Sequence, residues 1–177
     1  MNKTEIRRSI KKQKLNIPQK DRELAANMVM KQIELLPQFA SAKNILLYNA
    51  LPDELPTECM LNKWSSSKNL FLPAVVGDNL IIKRYNKEFV SIGAFGIIEP
   101  IGDEVDINLI DFIVVPGVAF DKNCNRLGRG KGYYDRLLIK SNAFFVGVGY
   151  NIQVLDNIPT EPHDIKMNCI ITEREIL

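Results

Sequence analysis

Apolar and polar positions change their spacing along this chain in a way that separates helices from strands. Between Lys3 and Lys14, Ile6 and Ile10 stand four apart among basic residues. That spacing predicts a helix with one apolar line and a second face carrying Lys3, Arg7 and Lys11. Asn16-Ile17-Pro18 then interrupts the chain. Pro18 is suited to opening a second helix, because the first turn does not need its missing N–H. Leu24, Met28 and Ile33 supply that helix with an apolar stripe, and Pro37 ends it.

Beyond residue 40 the apolar residues cluster into short runs. Asn44-Ile45-Leu46-Leu47-Tyr48, Leu70-Phe71-Leu72, Leu80-Ile81-Ile82, Phe112-Ile113-Val114-Val115, 144–150 and 169–172 read as strands. Segments 56–66 and 133–140 read as helices between them. Near-continuous apolar strands separated by helices belong to parallel or mixed sheets covered on both faces. The expectation is one α/β domain over residues 1–177, with no internal repeat and no linker.

Composition narrows the function classes. The formal net charge of +2 is too small to argue for nucleic acid. Charge is instead concentrated locally. Lys3, Arg7, Arg8, Lys11, Lys12 and Lys14 crowd the amino terminus, and Arg126, Arg129, Lys131 and Arg136 crowd a glycine-rich stretch, so each region attracts anions. Cys59, Cys124 and Cys169 are odd in number and far apart, which argues against a disulfide framework or a zinc site and for a reducing, cytoplasmic setting. The amino terminus lacks the apolar segment of a secretory signal. No run approaches the ~18 apolar residues of a membrane span.

The informative stretch runs from Val115 to Arg136, between the strongest predicted strand and a helix. In open α/β sheets ligands bind at the carboxyl ends of strands. Gly128, Gly130 and Gly132 let the backbone approach a ligand closely and point N–H groups at phosphate oxygens. The following helix adds free N–H groups and a positive dipole end. Arg129 and Lys131 add full charge, and Asp135 is a hard oxygen ligand for Mg²⁺ beside a phosphate. The spacing is neither that of a Walker A loop nor that of a dinucleotide-binding fingerprint. From the glycines alone, a solvated mobile loop is the competing reading.

The pattern Pro-Gly-x-Ala-Phe-Asp at 116–121, followed by Arg-Leu-Gly-x-Gly-Lys-Gly-Tyr-Tyr-Asp-Arg at 126–136, resembles the signature of the 5-formyltetrahydrofolate cyclo-ligase (methenyltetrahydrofolate synthetase) family. The resemblance extends to Lys3 and Arg7, to the acidic pair Asp53-Glu54, and to a carboxy-terminal block. That block holds Gly149-Tyr150, Gln153, Pro159, Glu161, His163-Asp164 and Ile171-Thr172-Glu173. One departure is Cys124, where the family usually has glycine.

The resemblance implies a three-layer α/β/α sandwich with a mostly parallel open sheet. It also implies conversion of 5-formyltetrahydrofolate, with ATP and Mg²⁺, to 5,10-methenyltetrahydrofolate, ADP and phosphate. Nucleotide binding then falls to Lys3, Arg7, Arg126, Leu127, Gly128, Arg129, Gly130, Lys131, Gly132, Tyr133 and Tyr134. Lys131 and Arg129 stabilise transferred charge. Asn49, Glu54 and Tyr133 contact the folate, and Asp135 with Asp164 holds the metal. The partners implied are small molecules, with no nucleic acid or membrane, for a monomer or weak dimer.

Two rival functions, and a core reading of Tyr134, stay open on the residues alone. Tyr134 fits a core position, and Trp64 reads as packing. A sugar-phosphate or CoA enzyme of the same architecture would need no ATP. An RNA-binding module would use the basic first helix. His163, the only histidine, rules out a histidine-rich metal site, and no GxSxG elbow is present for a Ser-His-Asp triad.

Overall fold

The computed structural model describes residues 1–88, 90–93, 96 and 98–177. Its centre is a seven-stranded sheet built from β1 (Asn44–Leu46), β2 (Asn69–Val76), β3 (Asn79–Arg84), β6 (Glu104–Val105), β7 (Phe112–Pro116), β10 (Phe144–Val148) and β12 (Cys169–Ile171). Their order across the sheet is β12-β10-β7-β1-β2-β3-β6. The pairs β12–β10, β10–β7, β7–β1 and β1–β2 are parallel, whereas β3 runs antiparallel to both β2 and β6. The sheet is therefore mostly parallel, one of the two arrangements the apolar runs allowed and the one the family resemblance implied.

Successive strand residues face opposite layers. Ile45, Phe112, Val114, Val146 and Ile171 pack with α2 (Gln19–Glu34), α3 (Pro37–Ser41) and α4 (Glu58–Trp64). Leu46, Ile113, Val115, Phe145 and Ile170 face the other side, where Leu137 and Leu138 of α5 (Tyr133–Leu138) cover them. These two cores make the three-layer α/β/α arrangement. Trp64 is buried in the first core, and its indole N–H donates to Glu34 Oε1 at 2.8 Å, so it is a packing residue.

The second helix differs from its predicted stripe. Leu24 is 58% and Met28 41% exposed, while Ala25, Ala26, Val29, Met30 and Ile33 are buried. Of the predicted stripe Ile33 is buried as expected, while Leu24 and Met28 lie outside and the small Ala25 and Ala26 share the buried face.

The first helix, α1 (Lys3–Lys14), lies apart from the main sheet. Asn2 and Glu5 form a reciprocal capping box, with Glu5 N–H donating to Asn2 Oδ1 at 2.9 Å and Asn2 N–H to Glu5 Oε2 at 2.8 Å. Ile6 and Ile10 pack on Val118, Ala119, Leu127 and Ile158. Those residues belong to or flank a small sheet of β11 (Val154–Leu155), β8 (Ala119–Asp121) and β9 (Arg126–Leu127), which the sequence pattern did not predict. A third, two-stranded sheet pairs β4 (Val90–Ile92) with β5 (Ile98–Pro100). No helix among the described residues is long and apolar enough to cross a membrane.

Candidate active site

The carboxyl ends of β1, β2 and β7 open onto a cavity of about 310 Å³. Tyr48, Asn49, Leu51 and Glu54 line it from the chain after β1, and Pro73, Val75 and Leu80 from the β2–β3 hairpin. Pro116, Gly117 and Val118 come from the end of β7, and Arg126, Gly128, Arg129 and Lys131–Asp135 from the glycine-rich stretch. The loop predicted to bind phosphate and the acidic residue predicted to bind substrate thus share one cavity.

The glycine-rich loop is held at its base by Asp121, which is fully buried. Its Oδ1 accepts from the backbone N–H of Asn123 at 2.9 Å and of Asn125 at 3.0 Å. Its Oδ2 accepts from Asn125 Nδ2 at 2.9 Å and from Ile158 N–H at 3.1 Å. Gln153 braces the other side, donating through Nε2 to the carbonyls of Gly117 at 2.8 Å and Val118 at 2.9 Å. Past this base the backbone is unusual. Gly130 and Gly132 have φ of +98° and +66°, the region only glycine enters freely. None of the amide N–H groups from Gly128 to Tyr134 donates to an acceptor among the described residues.

The side chains divide into those tied into the protein and those left open. Arg126 is buried, donates to Asp135 Oδ1 at 2.8 Å and to the Pro116 carbonyl at 3.3 Å, and stacks over the Tyr134 ring at 5.6 Å. Its Nε is buried with no partner among the described residues. Tyr134 packs against both cores and also lines the cavity. Burial pushes its phenol far above the ordinary tyrosine range. Leu127 is buried beneath α1, so only its backbone is available to a ligand. Tyr133 Oη lies 3.5 Å from the Gly77 carbonyl. The Lys131 ammonium has no hydrogen-bond or ion-pair partner among the described residues.

Arg129 is engaged with the acidic loop. Its Nη2 meets Asp53 Oδ1 at 2.5 Å and its Nε meets Glu54 Oε1 at 3.1 Å. Burial opposes the charge on Asp53, but Lys14 at 2.9 Å and Arg129 overcome it and hold the carboxyl at about 2. Lys14 is itself almost wholly buried, with 2% of its surface exposed. The basic face of α1 reaches the same region: Arg7 Nε donates to the Gly128 carbonyl at 2.9 Å.

The two carboxylates predicted to bind metal have separate cationic partners. Asp135 has Arg126, and Asp164 has Lys3 at 2.7 Å. Lys3 also reaches Glu161 at 2.9 Å. Burial works against the Lys3 ammonium, and Asp164 and Glu161 more than offset it, so its pKa is raised. Burial likewise opposes charge on Asp164, yet Lys3 and the Glu161 backbone N–H lower its pKa. Glu161, His163 and Asp164 place one donor atom each within 4.8 Å of one another.

Sequence reasoning missed Asp121 and Gln153 as loop supports, and it missed Glu99, Leu51, Pro73, Val75 and Leu80 in the cavity wall. Asp121 and Gln153 were visible only as parts of longer motifs. The β2–β3 hairpin and β5 carry no chemical signature of their own.

Comparison with known proteins identifies the family. A family model described as the 5-formyltetrahydrofolate cyclo-ligase family matches residues 1–173. The chain is 33% identical to a 5-formyltetrahydrofolate cyclo-ligase of Haemophilus influenzae over 178 residues, covering 94% of this chain and 95% of that protein. It is 34% identical to a probable 5-formyltetrahydrofolate cyclo-ligase of Schizosaccharomyces pombe, covering 84% of each. The solved 5,10-methenyltetrahydrofolate synthetase of Aquifex aeolicus superposes with a TM-score of 0.90 at 36% identity, over 99% of this chain and 92% of that one. The corresponding Mycoplasma pneumoniae enzyme shares the fold, with a TM-score of 0.80 at 23% identity, over 98% of this chain and 100% of that one. A match that runs through both the glycine-rich loop and the α1 residues packed beside it leaves one assignment: the chain belongs to the 5-formyltetrahydrofolate cyclo-ligase family.

Proposed function

We propose that this protein converts 5-formyltetrahydrofolate and ATP to 5,10-methenyltetrahydrofolate, ADP and phosphate. One observation carries the reading. A run of backbone N–H groups, Gly128 to Tyr134, shares a cavity with the Lys131 ammonium, and none of these donors has an acceptor among the described residues. Donors left unsatisfied in this number call for an anion with many acceptor oxygens, which a triphosphate supplies.

The chemistry explains why a nucleotide is needed. A formyl group on nitrogen is a poor electrophile, and its oxygen is a poor leaving group. Moving the γ-phosphoryl group onto that oxygen makes it leave as phosphate, while the nitrogen at position ten attacks the formyl carbon and closes the ring. The protein's part is positioning and charge stabilisation. Lys131 and Arg129 face the transferred charge. Lys3, Arg7, Arg126 and the backbone of Leu127, Gly128, Gly130 and Gly132 surround the phosphates, with Tyr133 and Tyr134 beside them. Glu54, Asn49 and Tyr133 face the folate.

Magnesium fits the oxygens present. Asp135 Oδ2 and Asp164 Oδ1 accept no hydrogen bond among the described residues, and Mg²⁺ takes one or two carboxylates together with phosphate oxygens. When bound, it would neutralise charge on the phosphates. Three free cysteines accord with a reducing, cytoplasmic setting for this step of one-carbon metabolism.

The test is direct. Purified protein, 5-formyltetrahydrofolate and Mg-ATP should yield the methenyl product by absorbance, with no product when ATP or magnesium is withheld. Turnover that persists without ATP would overturn the reading.

A further inference from the structure

Three carboxylates line the cavity: Glu54, Asp135 and Glu99. Two are matched by guanidinium groups, Glu54 by Arg129 and Asp135 by Arg126. Glu99 has no cationic partner among the described residues. It stands on β5, at the edge of the small sheet, and its Oε1 accepts from the Val75 N–H of β2 at 3.2 Å. Its Oε2 accepts nothing among the described residues. The chain opposite has made room for this group: a Cβ at Gly93 would overlap the Glu99 carboxylate.

Glu99 lines a largely apolar cavity with one carboxylate oxygen hydrogen-bonded and the other, beside Gly93, accepting nothing among the described residues, an arrangement that is costly unless a donor arrives. Among the described residues the cavity's one cation without a partner, Lys131, belongs to the phosphate-facing loop. Its unpartnered anion belongs to the wall formed by β2 and β5. The phosphates of ATP would satisfy the first, and the N–H donors of the folate the second.

We infer that Glu99 is a substrate-binding residue, whose Oε2 accepts an N–H of the reduced pterin ring and so shares the task of orienting the folate with Glu54. The hydrogen bonds already made by Glu54 give the reason for two acids. Both Glu54 oxygens already accept within the protein, from Arg129 Nε at 3.1 Å and from Leu51 N–H at 3.0 Å. Glu99 retains an oxygen with no such claim on it. The inference rests on the folate reading above and names a residue that reading does not use.

Steady-state kinetics of Glu99→Gln and Glu99→Ala test it. Gln keeps an acceptor for Val75 N–H but turns an NH₂ toward the ring N–H, donor against donor. Both variants should therefore raise the KM for 5-formyltetrahydrofolate about ten- to hundredfold, the size expected when a charged acceptor is lost. The KM for ATP should stay within about twofold, since Glu99 is outside the phosphate-facing loop. Rescue by Gln would show a structural role through Val75 and overturn the assignment, as would an unchanged folate KM.

A second readout guards against misfolding. Gly93→Ala should raise the folate KM in the parent protein by displacing Glu99, and should add little in Glu99→Ala, where the overlap is gone. Additive effects would overturn the inference. If the parent protein itself fails to turn over 5-formyltetrahydrofolate, the functional reading falls. Turnover by the parent with an unaltered folate KM in the variants removes Glu99 alone.

Discussion

Arg129 and Glu54 join two loops that are 75 residues apart in sequence, with Nε donating to Oε1 at 3.1 Å. The same guanidinium reaches Asp53, so one side chain fixes the acidic loop against the glycine-rich loop. A lysine cannot make this fork, because an ammonium is a point charge on a flexible stem. Arg129→Lys should therefore loosen both loops at once. The KM values for ATP and for 5-formyltetrahydrofolate are expected to rise together, each by about tenfold, the cost of losing one charge-assisted contact. Initial-rate measurements with each substrate varied in turn will show whether the two constants move jointly.

Asp53 gives the protein an acid-sensitive contact. Its carboxyl sits at about 2 in the folded chain against an ordinary 3.8 for aspartate, because Lys14 and Arg129 outweigh its burial. A folded value below the unfolded one means that the unfolded state binds the proton more readily. The stabilisation is therefore complete above about pH 4 and is lost as the pH falls toward 2. At most ~2 kcal/mol is at stake. Lys14→Met removes one of the two cations and should flatten this dependence while lowering stability near neutrality by ~2 kcal/mol, the range for a hydrogen bond to a charged group. Urea unfolding at pH 3 and pH 6, for parent and variant, measures both effects.

The parts of the fold legible in the sequence were those with a strong apolar period or a dense local motif. Five parallel strands, α1 and the glycine-rich loop were of this kind, since each is specified by neighbours in sequence. The Leu24–Met28 pair failed because small residues, Ala25 and Ala26, help carry the buried face of α2 with Val29, Met30 and Ile33. Glu99 could not be read from sequence at all. It enters the cavity only because β5 pairs with β4 and lies beside β2, a long-range event with no local signature. The pairing of Arg129 with Asp53 and Glu54 was hidden for the same reason. The two loops were each recognisable, but nothing in their spacing said that they meet.

Lys131 should separate catalysis from stability. Its side chain lines the cavity and has no partner among the described residues, so folding does not depend on it. Lys131→Met keeps the aliphatic stem and removes the charge. Loss of one preorganised cation at a developing negative charge lowers rates by about 10²–10³. The expected result is a fall of that size in kcat/KM for ATP, with a melting temperature within about 2 °C of the parent, as for an unpartnered surface group. A fall in melting temperature with activity retained would mean that the ammonium is structural.

Cys124 lies just before the loop with φ of +61°, the one non-glycine residue among those described in the left-handed region. The turn forms nonetheless, because neighbours fix it on both sides. Cys124 N–H donates to the Asp121 carbonyl at 3.0 Å, and its own carbonyl accepts from Met167 N–H at 2.9 Å. Its side chain packs partly against the second core. A left-handed residue with a Cβ carries ~1–2 kcal/mol of strain, which glycine would relieve. Glycine would also lose the side-chain packing and gain entropy when unfolded, by ~0.5–1 kcal/mol for the latter. These terms nearly cancel, so Cys124→Gly should unfold within ~1 kcal/mol of the parent in urea. Cys124→Val adds a branched Cβ where even an unbranched one is strained, and should cost ~2 kcal/mol or more. A valine variant as stable as the parent would show that the Asp121 and Met167 hydrogen bonds do not hold this turn left-handed.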